Sequence, residues 1–389
     1  MKNKIRAAVE TAAPELDELS RKLYENPELG YEEFKACAWH TQLLEQHGFA
    51  VERNYCDIAT AYKATYEAKK PGLTIAFLAE YDALPGVGHG CGHNILGAAS
   101  LGAGIGLKSV LDETGGKVVV FGTPAEETSG AKVVFAEQGR FDDVDIAMMA
   151  HPSNATTRSG SSLALMPVRF EFYGKSAHAA SDPWNGVNAL DAAIVSVNAV
   201  NALREHILPT SRVHGVIAEG GVAPNVVPEY ARVDYYVRSA TKTYNEELVE
   251  KVKNCARAGA LATGCRVEIT RFELPYDNLV TNAALADAYA EALYDICGAT
   301  VQPPKSDMGS LDAGQVSQRC PTIHAWFDIT NGKKGISGHS REFAACTLTP
   351  YAKEQMRNTS AALALTGARV ASDPALFRRI REEFDSAEK

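Results

Sequence analysis

Five residues able to do chemistry, Glu80, Asp82, His89, Cys91 and His93, fall within one short stretch that is interleaved with Gly86, Gly88, Gly90 and Gly92. Glycines let a backbone bend tightly around something small, and a thiolate two positions from an imidazole points to a metal. Glu126, Glu127, His151 and His339 follow later in the chain. Together Cys91, His93, Glu127, His151 and His339 offer a thiolate, imidazoles and a carboxylate, a set suited to zinc or manganese and too rich in nitrogen and sulfur for calcium. These ligands exceed one tetrahedral shell. A bridging Cys91 could serve two ions, one held also by His93 and His151 and the other by Glu127 and His339, with positions left for water and substrate. Such a pair acidifies a water and polarises a carbonyl. Glu126 is left over beside Glu127, free to take the water's proton and deliver it to a leaving nitrogen.

Each residue also has an ordinary reading. Glu126 and Glu127 can cap a helix, His151 before Pro152 can sit in a turn, His339 can be a loop histidine, and Asp82 can close the turn into Leu84-Pro85. In the metal reading Asp82 instead orients a ligand histidine. A nucleophilic Cys91 activated by His93 would leave Glu127, His151 and His339 without a purpose. His40, His47, His89, His206, His214 and His324 are taken as structural or surface residues.

The elements that must position these groups favour the metal. Apolar runs at 73–79, 117–122 and 145–150 read as buried strands. Each runs straight into one of the polar groups, at the place where open α/β sheets put their ligands. Residues 4–25 read as a helix with a break near Pro14, 34–47 as a second helix, and 49–67 as one or two strands. From Val168 the pattern changes to alternation, and the order β-α-β-β-α-β over about 165–274 is that of a ferredoxin-like unit. The expected fold is therefore α/β, a catalytic domain with a mixed, largely parallel sheet flanked by helices, interrupted by a smaller ferredoxin-like α+β domain. Its parts are 1–164, the inserted 165–274 and 275–389, with an irregular stretch at 306–316.

With 389 residues, 46% of them hydrophobic and 22% charged, the chain has the size of two domains and the composition of a globular protein. A net charge of -9 without a basic stripe speaks against nucleic acid as a partner. No apolar run reaches membrane-spanning length and no signal-like segment stands at the amino terminus. Eight scattered cysteines read as reduced thiols, which gives a cytoplasmic expectation with no membrane partner.

The series AEYDALPGVGHGCGHN, TPAEE, AHPS, GKSAHAA, NVVPEYARVDYYVR, GSLDAGQVSQRCPTIH and GHSREF resembles the aminoacylase and carboxypeptidase G family of dinuclear metallopeptidases. It is most similar to the amidohydrolase branch with auxin-conjugate hydrolases, aminobenzoyl-glutamate hydrolase and a β-alanyl dipeptidase. The resemblance implies that Cys91 bridges two ions completed by His93, Glu127, His151 and His339, and that Glu126 is the general base. It also implies that His178 stabilises the tetrahedral oxyanion, often across a dimer, and that Asn225 and Arg238 contact substrate oxygens, Arg238 as a fork for a carboxylate. The inserted domain becomes a lid that supports a homodimer or higher homo-oligomer. Tyr24 and Gln315 stand where many relatives have His and Asn, so substrate identity does not transfer. The expected activity is hydrolysis of an amide between an acyl or aminoacyl group and an amino acid with a free carboxylate. An aminopeptidase or dipeptidase recognising a free amine and a non-catalytic metal-binding homologue are the alternatives.

Overall fold

The computed structural model describes residues 1–304 and 309–387, which group into two units. Residues 1–161, 279–304 and 312–387 form the first, and 162–278 with 309–311 the second. The first unit opens with α1 (Lys2–Glu25), α2 (Phe34–Gln46), β1 (Ala50–Arg53), β2 (Tyr62–Glu67) and β3 (Thr74–Ala79). It continues with α3 (His93–Lys108), the single turn α4 (Leu111–Thr114), β4 (Lys117–Gly122), α5 (Ala131–Glu137) and β5 (Ile146–Ser153). The second unit is β6 (Ala164–Tyr173), α6 (Ala189–Leu203), β7 (Arg212–Glu219), β8 (Tyr230–Ser239), α7 (Lys242–Thr263) and β9 (Arg266–Thr270). The first then resumes with α8 (Ala283–Cys297), α9 (Ala313–Ser317), β10 (Thr322–Asp328), α10 (Arg341–Cys346), α11 (Pro350–Ser372) and α12 (Pro374–Ser386).

In α1 the expected break at Pro14 does not occur, and the proline sits inside one continuous helix. An interior proline costs about 3 kcal/mol. Ile5, Val9, Leu16, Leu19 and Leu23 are all buried along one face, and at about 1.5–3 kcal/mol each they outweigh that cost.

The six-stranded sheet has the order β1-β2-β4-β3-β5-β10. β4, β3, β5 and β10 run parallel, while β1 and β2 pair antiparallel at one edge. From Ile75 to Ala79 every residue of β3 is fully buried, as expected of a strand covered on both faces. Rich in alanine and glycine, α3 is buried from His93 to Leu107 and packs closely between the sheet, α1 and α11. Because these strands are parallel, their carboxyl ends share one edge. The polar groups that follow β3 and β4 are thereby delivered to one place. His151 differs from expectation, since it lies within β5, which runs on to Ser153.

The second unit pairs its strands antiparallel in the order β7-β8-β6-β9, a ferredoxin-like arrangement. Along β8 the buried residues alternate as Ala231, Val233, Tyr235 and Val237, and they pack with Phe170, Phe172, Ala192, Leu248 and Val252 on the side of α6 and α7. The edge strand β7 leaves Val216 and Ile217 exposed.

Where the chain leaves the first unit and where it returns, the two segments are hydrogen-bonded to each other. Ser159 Oγ lies 2.5 Å from Thr281 Oγ1, which donates to the Gly160 carbonyl. Residues 306–308 of the stretch expected to be irregular lie outside the described residues, and its last part enters α9. Among the described residues no helix is long and apolar enough to cross a membrane.

Candidate metal centre

Gly92 sets the geometry of the first ligand pair. Its φ of 81° is in the left-handed region, and a Cβ there would stand 2.5 Å from Pro152 Cγ, so only glycine fits between Cys91 and His93 at the start of α3. His93 is fully buried. Its Nδ1 lies 2.9 Å from Asp82 Oδ1, which fixes the tautomer that donates there and turns Nε2 inward. Asp82 uses its other oxygen to accept the Glu127 amide at 2.9 Å. One carboxylate thus positions two of the residues under consideration.

His151 is arranged in the same way. Its Nδ1 donates to the Pro152 carbonyl at 2.7 Å, and Nε2 lies 3.6 Å from Cys91 Sγ. The ring is packed against His324 and Trp326, with centroids 5.6 and 4.9 Å away. His339 comes from the loop before α10. Its φ is 63°, its amide donates to the Gly90 carbonyl at 2.8 Å, and the next residue, Ser340, caps the helix. The His339 side chain is 62% exposed and its Nε2 is 3.7 Å from Glu127 Oε2, so it forms the solvent side of the cluster.

The structure therefore brings Cys91, His93 and His151 together, and Cys91, Glu127 and His339 together, each set with donor atoms within 4.8 Å of one another. Glu126 joins His93 and Glu127 in a third such set. The fit to cations is good. His93 Nε2 and Glu127 Oε1 are buried and make no hydrogen bond among the described residues, which is costly unless something else satisfies them. The donor atoms are a thiol, imidazole nitrogens, those of His93 and His151 with the far side of the ring committed, and carboxylate oxygens.

Without a cation the electrostatics differ from one residue to the next. Burial pushes the Cys91 thiol up, against the pull of His93, and a bound cation is what would bring the thiolate back. Burial, with His93 beside it, holds His151 down at about 3, hence neutral and able to ligate. Burial also opposes charge on His93, but Asp82 and Cys91 outweigh it and raise the imidazole well above its ordinary range. Glu126 is raised well above the usual carboxylate range by burial first and then by Glu80, Asp312 and Glu127.

Two features near the centre were not given a role by the sequence. Glu33 is fully buried, and its Oε1 accepts the Ala125 amide at 2.8 Å. Ala125 has a φ of 65°, an uncommon conformation for alanine, directly before Glu126. Lys132 on α5 is also fully buried, with Nζ 2.7 Å from both Glu80 Oε1 and Asp312 Oδ1. Burial pulls its pKa down, but the two carboxylates prevail and raise it. An isolated lysine in AKVVFAE reads as a solvent-facing residue, and its partners lie far away in the chain. No local signal marks it.

The second unit holds the remaining expected residues. His178 and Asn225 occupy adjoining loops, where Ala179 donates to the Asn225 carbonyl at 3.0 Å. Both are exposed, and His178 Nδ1 accepts the amides of Ala180 and Ser181 at 3.2 Å. Arg238 is not with them. It lies at the far end of β8 and donates to Ser310 Oγ at 2.9 Å. At about 3.4 Å per residue, Tyr230 to Arg238 spans roughly 27 Å.

A sequence profile described as Peptidase family M20/M25/M40 matches residues 76–354, a span that takes in every residue of the metal centre. The chain belongs to Peptidase family M20/M25/M40. Membership of this family, with the hydrolase relatives that follow, makes the protein an enzyme, a metal-dependent amidohydrolase or peptidase. It is 38% identical to the Xaa-Arg dipeptidase of Homo sapiens over 98% of this chain and 92% of that enzyme. It is 35% identical to one of the polypeptides of the p-aminobenzoyl-glutamate hydrolase of Escherichia coli, over 74% of this chain and 63% of that one. In fold it is similar to the YXEP protein of Bacillus subtilis, a dinuclear metal binding peptidase of the M20 family. The TM-score is 0.67 at 20% identity, with 92% of this chain and 99% of that one covered.

Proposed function

We propose that this is a cytoplasmic hydrolase that holds two divalent ions, zinc or manganese, and cleaves the amide between an acyl or aminoacyl group and an amino acid with a free carboxylate. The observation that carries this reading is the shared thiol. Cys91 belongs to both ligand triads, while Glu126 stands beside His93 and Glu127. In this reading Cys91, His93 and His151 hold one ion and Cys91, Glu127 and His339 the other. The ions supply Lewis acidity, which polarises the substrate carbonyl and acidifies a water. Glu126 takes the proton of the attacking water and delivers it to the leaving nitrogen. Asp82 holds His93 and the Glu127 backbone in place throughout.

Residues 165–274 are assigned as a lid and dimerisation domain. His178 stabilises the oxyanion, and Asn225 and Arg238 contact substrate oxygens, Arg238 taking the carboxylate. The resemblance to a family with a dimerising lid supports a homodimer or higher homo-oligomer. In such an assembly one protomer's His178 serves its partner's centre. All eight cysteines are free thiols, in keeping with a reducing cytoplasm. Similarity to an Xaa-Arg dipeptidase along nearly the whole chain favours a dipeptide with a basic carboxyl-terminal residue as the second reading.

The test is metal content by elemental analysis with a hydrolysis panel of Xaa-Arg and Xaa-Lys dipeptides, N-acetyl amino acids and p-aminobenzoyl-glutamate, before and after chelation. About two ions per chain and chelator-sensitive release of a free amino acid are expected. Turnover that survives complete metal removal would defeat the reading. Loss of turnover on amidating the carboxylate, but not on blocking the amine, selects the first reading over the dipeptidase.

A further inference from the structure

Glu80 stands closer to His93 than Glu127 does, yet it is tied up elsewhere. Its Oε2 is 3.3 Å from His93 Nε2, against 3.9 Å for Glu127 Oε1. That oxygen is buried and makes no hydrogen bond among the described residues. Its other oxygen, Oε1, accepts from Lys132 at 2.7 Å, and the same ammonium donates to Asp312 at 2.7 Å. All three side chains are essentially inaccessible to solvent. Space for this arrangement is specific. A Cβ on Gly130 would stand 2.1 Å from Asp312 Oδ2, so the glycine just before α5 lets Asp312 reach Lys132.

A carboxylate this close to a ligand nitrogen is itself a potential ligand. Catalytic zinc sites keep three protein ligands and an open position, whereas four protein ligands make a closed structural site. Cys91, His93 and His151 already supply three. We infer that Lys132 is a positioning residue whose task is to hold Glu80 back. Fastened at Oε1 by the ammonium, and with Asp312 fastening the ammonium in turn, Glu80 stays out of the ion's coordination sphere and the fourth position stays open for water. This rests on the ligand assignment proposed above.

The inference predicts an effect opposite in sign to that of ordinary supporting residues, whose loss weakens metal affinity or activity by about 10–100-fold. The decisive variant is Lys132→Met combined with Asp312→Asn. It frees Glu80 while leaving the net charge of the three-residue cluster unchanged, which also avoids stranding a second buried carboxylate. Zinc affinity is measured by competition with a chromophoric chelator, kcat on the best panel substrate, and folding by circular dichroism and thermal unfolding. The double variant is expected to bind zinc at least about tenfold more tightly and to turn over about 10–100-fold more slowly. Adding Glu80→Gln should then recover turnover at least about tenfold and lose the gained affinity. Unchanged or weaker zinc binding in the folded double variant overturns the inference, and so does a triple variant as slow as the double. If the double variant does not fold, Glu80→Gln in the triple variant is expected to restore a folded, active protein, and failure there overturns it as well. Absence of metal from the wild type would instead defeat the ligand assignment itself.

Discussion

The candidate metal centre of the first unit and the loops of the second that carry His178 and Asn225 are built on opposite principles. In the first, the histidine rings of α3 and β5 each have their outer nitrogen committed to an oxygen. The inner nitrogen of His93 is buried and makes no hydrogen bond among the described residues. In the second, His178 and Asn225 lie exposed on loops, and the His178 ring accepts the amides two and three residues further on. One region is organised before anything binds. The other leaves its side chains open to solvent. Preorganisation is expensive in buried polar groups, and a parallel sheet is what makes it feasible, because it brings β3, β4 and β5 to one edge already rigid.

Three experiments sharpen or break this contrast, and the largest effect belongs to the buried region. Glu126→Gln keeps the shape of the side chain and removes the base, so kcat should fall about 10²–10⁴-fold with metal content unchanged. Full turnover in that variant would remove Glu126 from the mechanism.

The second concerns stability. Burial first, and then Asp82, push the Glu33 carboxyl up to about 7 from an ordinary 4.5. A group whose pKa is raised on folding contributes stability that is fully present below its unfolded pKa and is lost as pH rises through the folded one. Glu33→Gln cannot titrate, but its amide oxygen can still accept the Ala125 amide. Between about pH 5 and pH 8 the stability of the wild type relative to this variant should decline, by at most about 3 kcal/mol. Urea unfolding at the two pH values checks it, and parallel curves would count against a buried Glu33 carboxyl.

The smallest effect belongs to the second unit. Arg238→Lys keeps the charge but loses the planar fork. One charge-assisted hydrogen bond, about 1.5–3 kcal/mol, should raise KM at least about tenfold, with zinc affinity and melting temperature unchanged. A fall in metal content instead would show that the two regions are not separate in the way described.

How much of this could be read from the chain depended on whether the signal was local. The β strands were legible because β3, β4 and β5 are short apolar runs, while β6 and β8 alternate. The five residues that the structure brings together were legible because they sit beside glycines or near the carboxyl ends of strands. Pro14 departs from expectation, since a local rule about proline yields to a buried face spread over the whole of α1. His151 was placed after its strand, although pairing with β10 carries β5 through it. Lys132 could not be seen at all. Its burial is explained only by Glu80 and Asp312, and no window along the sequence contains all three. Glu33 escaped for the same reason, since its partner Ala125 belongs to another part of the chain. The distance between Asn225 and Arg238 follows from the extended run of β8, with Asn225 in the loop before it and Arg238 near its far end.

The stitch between Ser159, Gly160 and Thr281 makes the first unit nearly continuous across its insertion. Its two severed ends already touch, so a short loop in place of residues 162–278 would close the chain without stretching it. Such a shortened protein should still take up zinc and yet process substrate poorly, separating possession of the ions from their use. If it cannot hold metal, the insertion is a folding partner as well as a passenger in the chain.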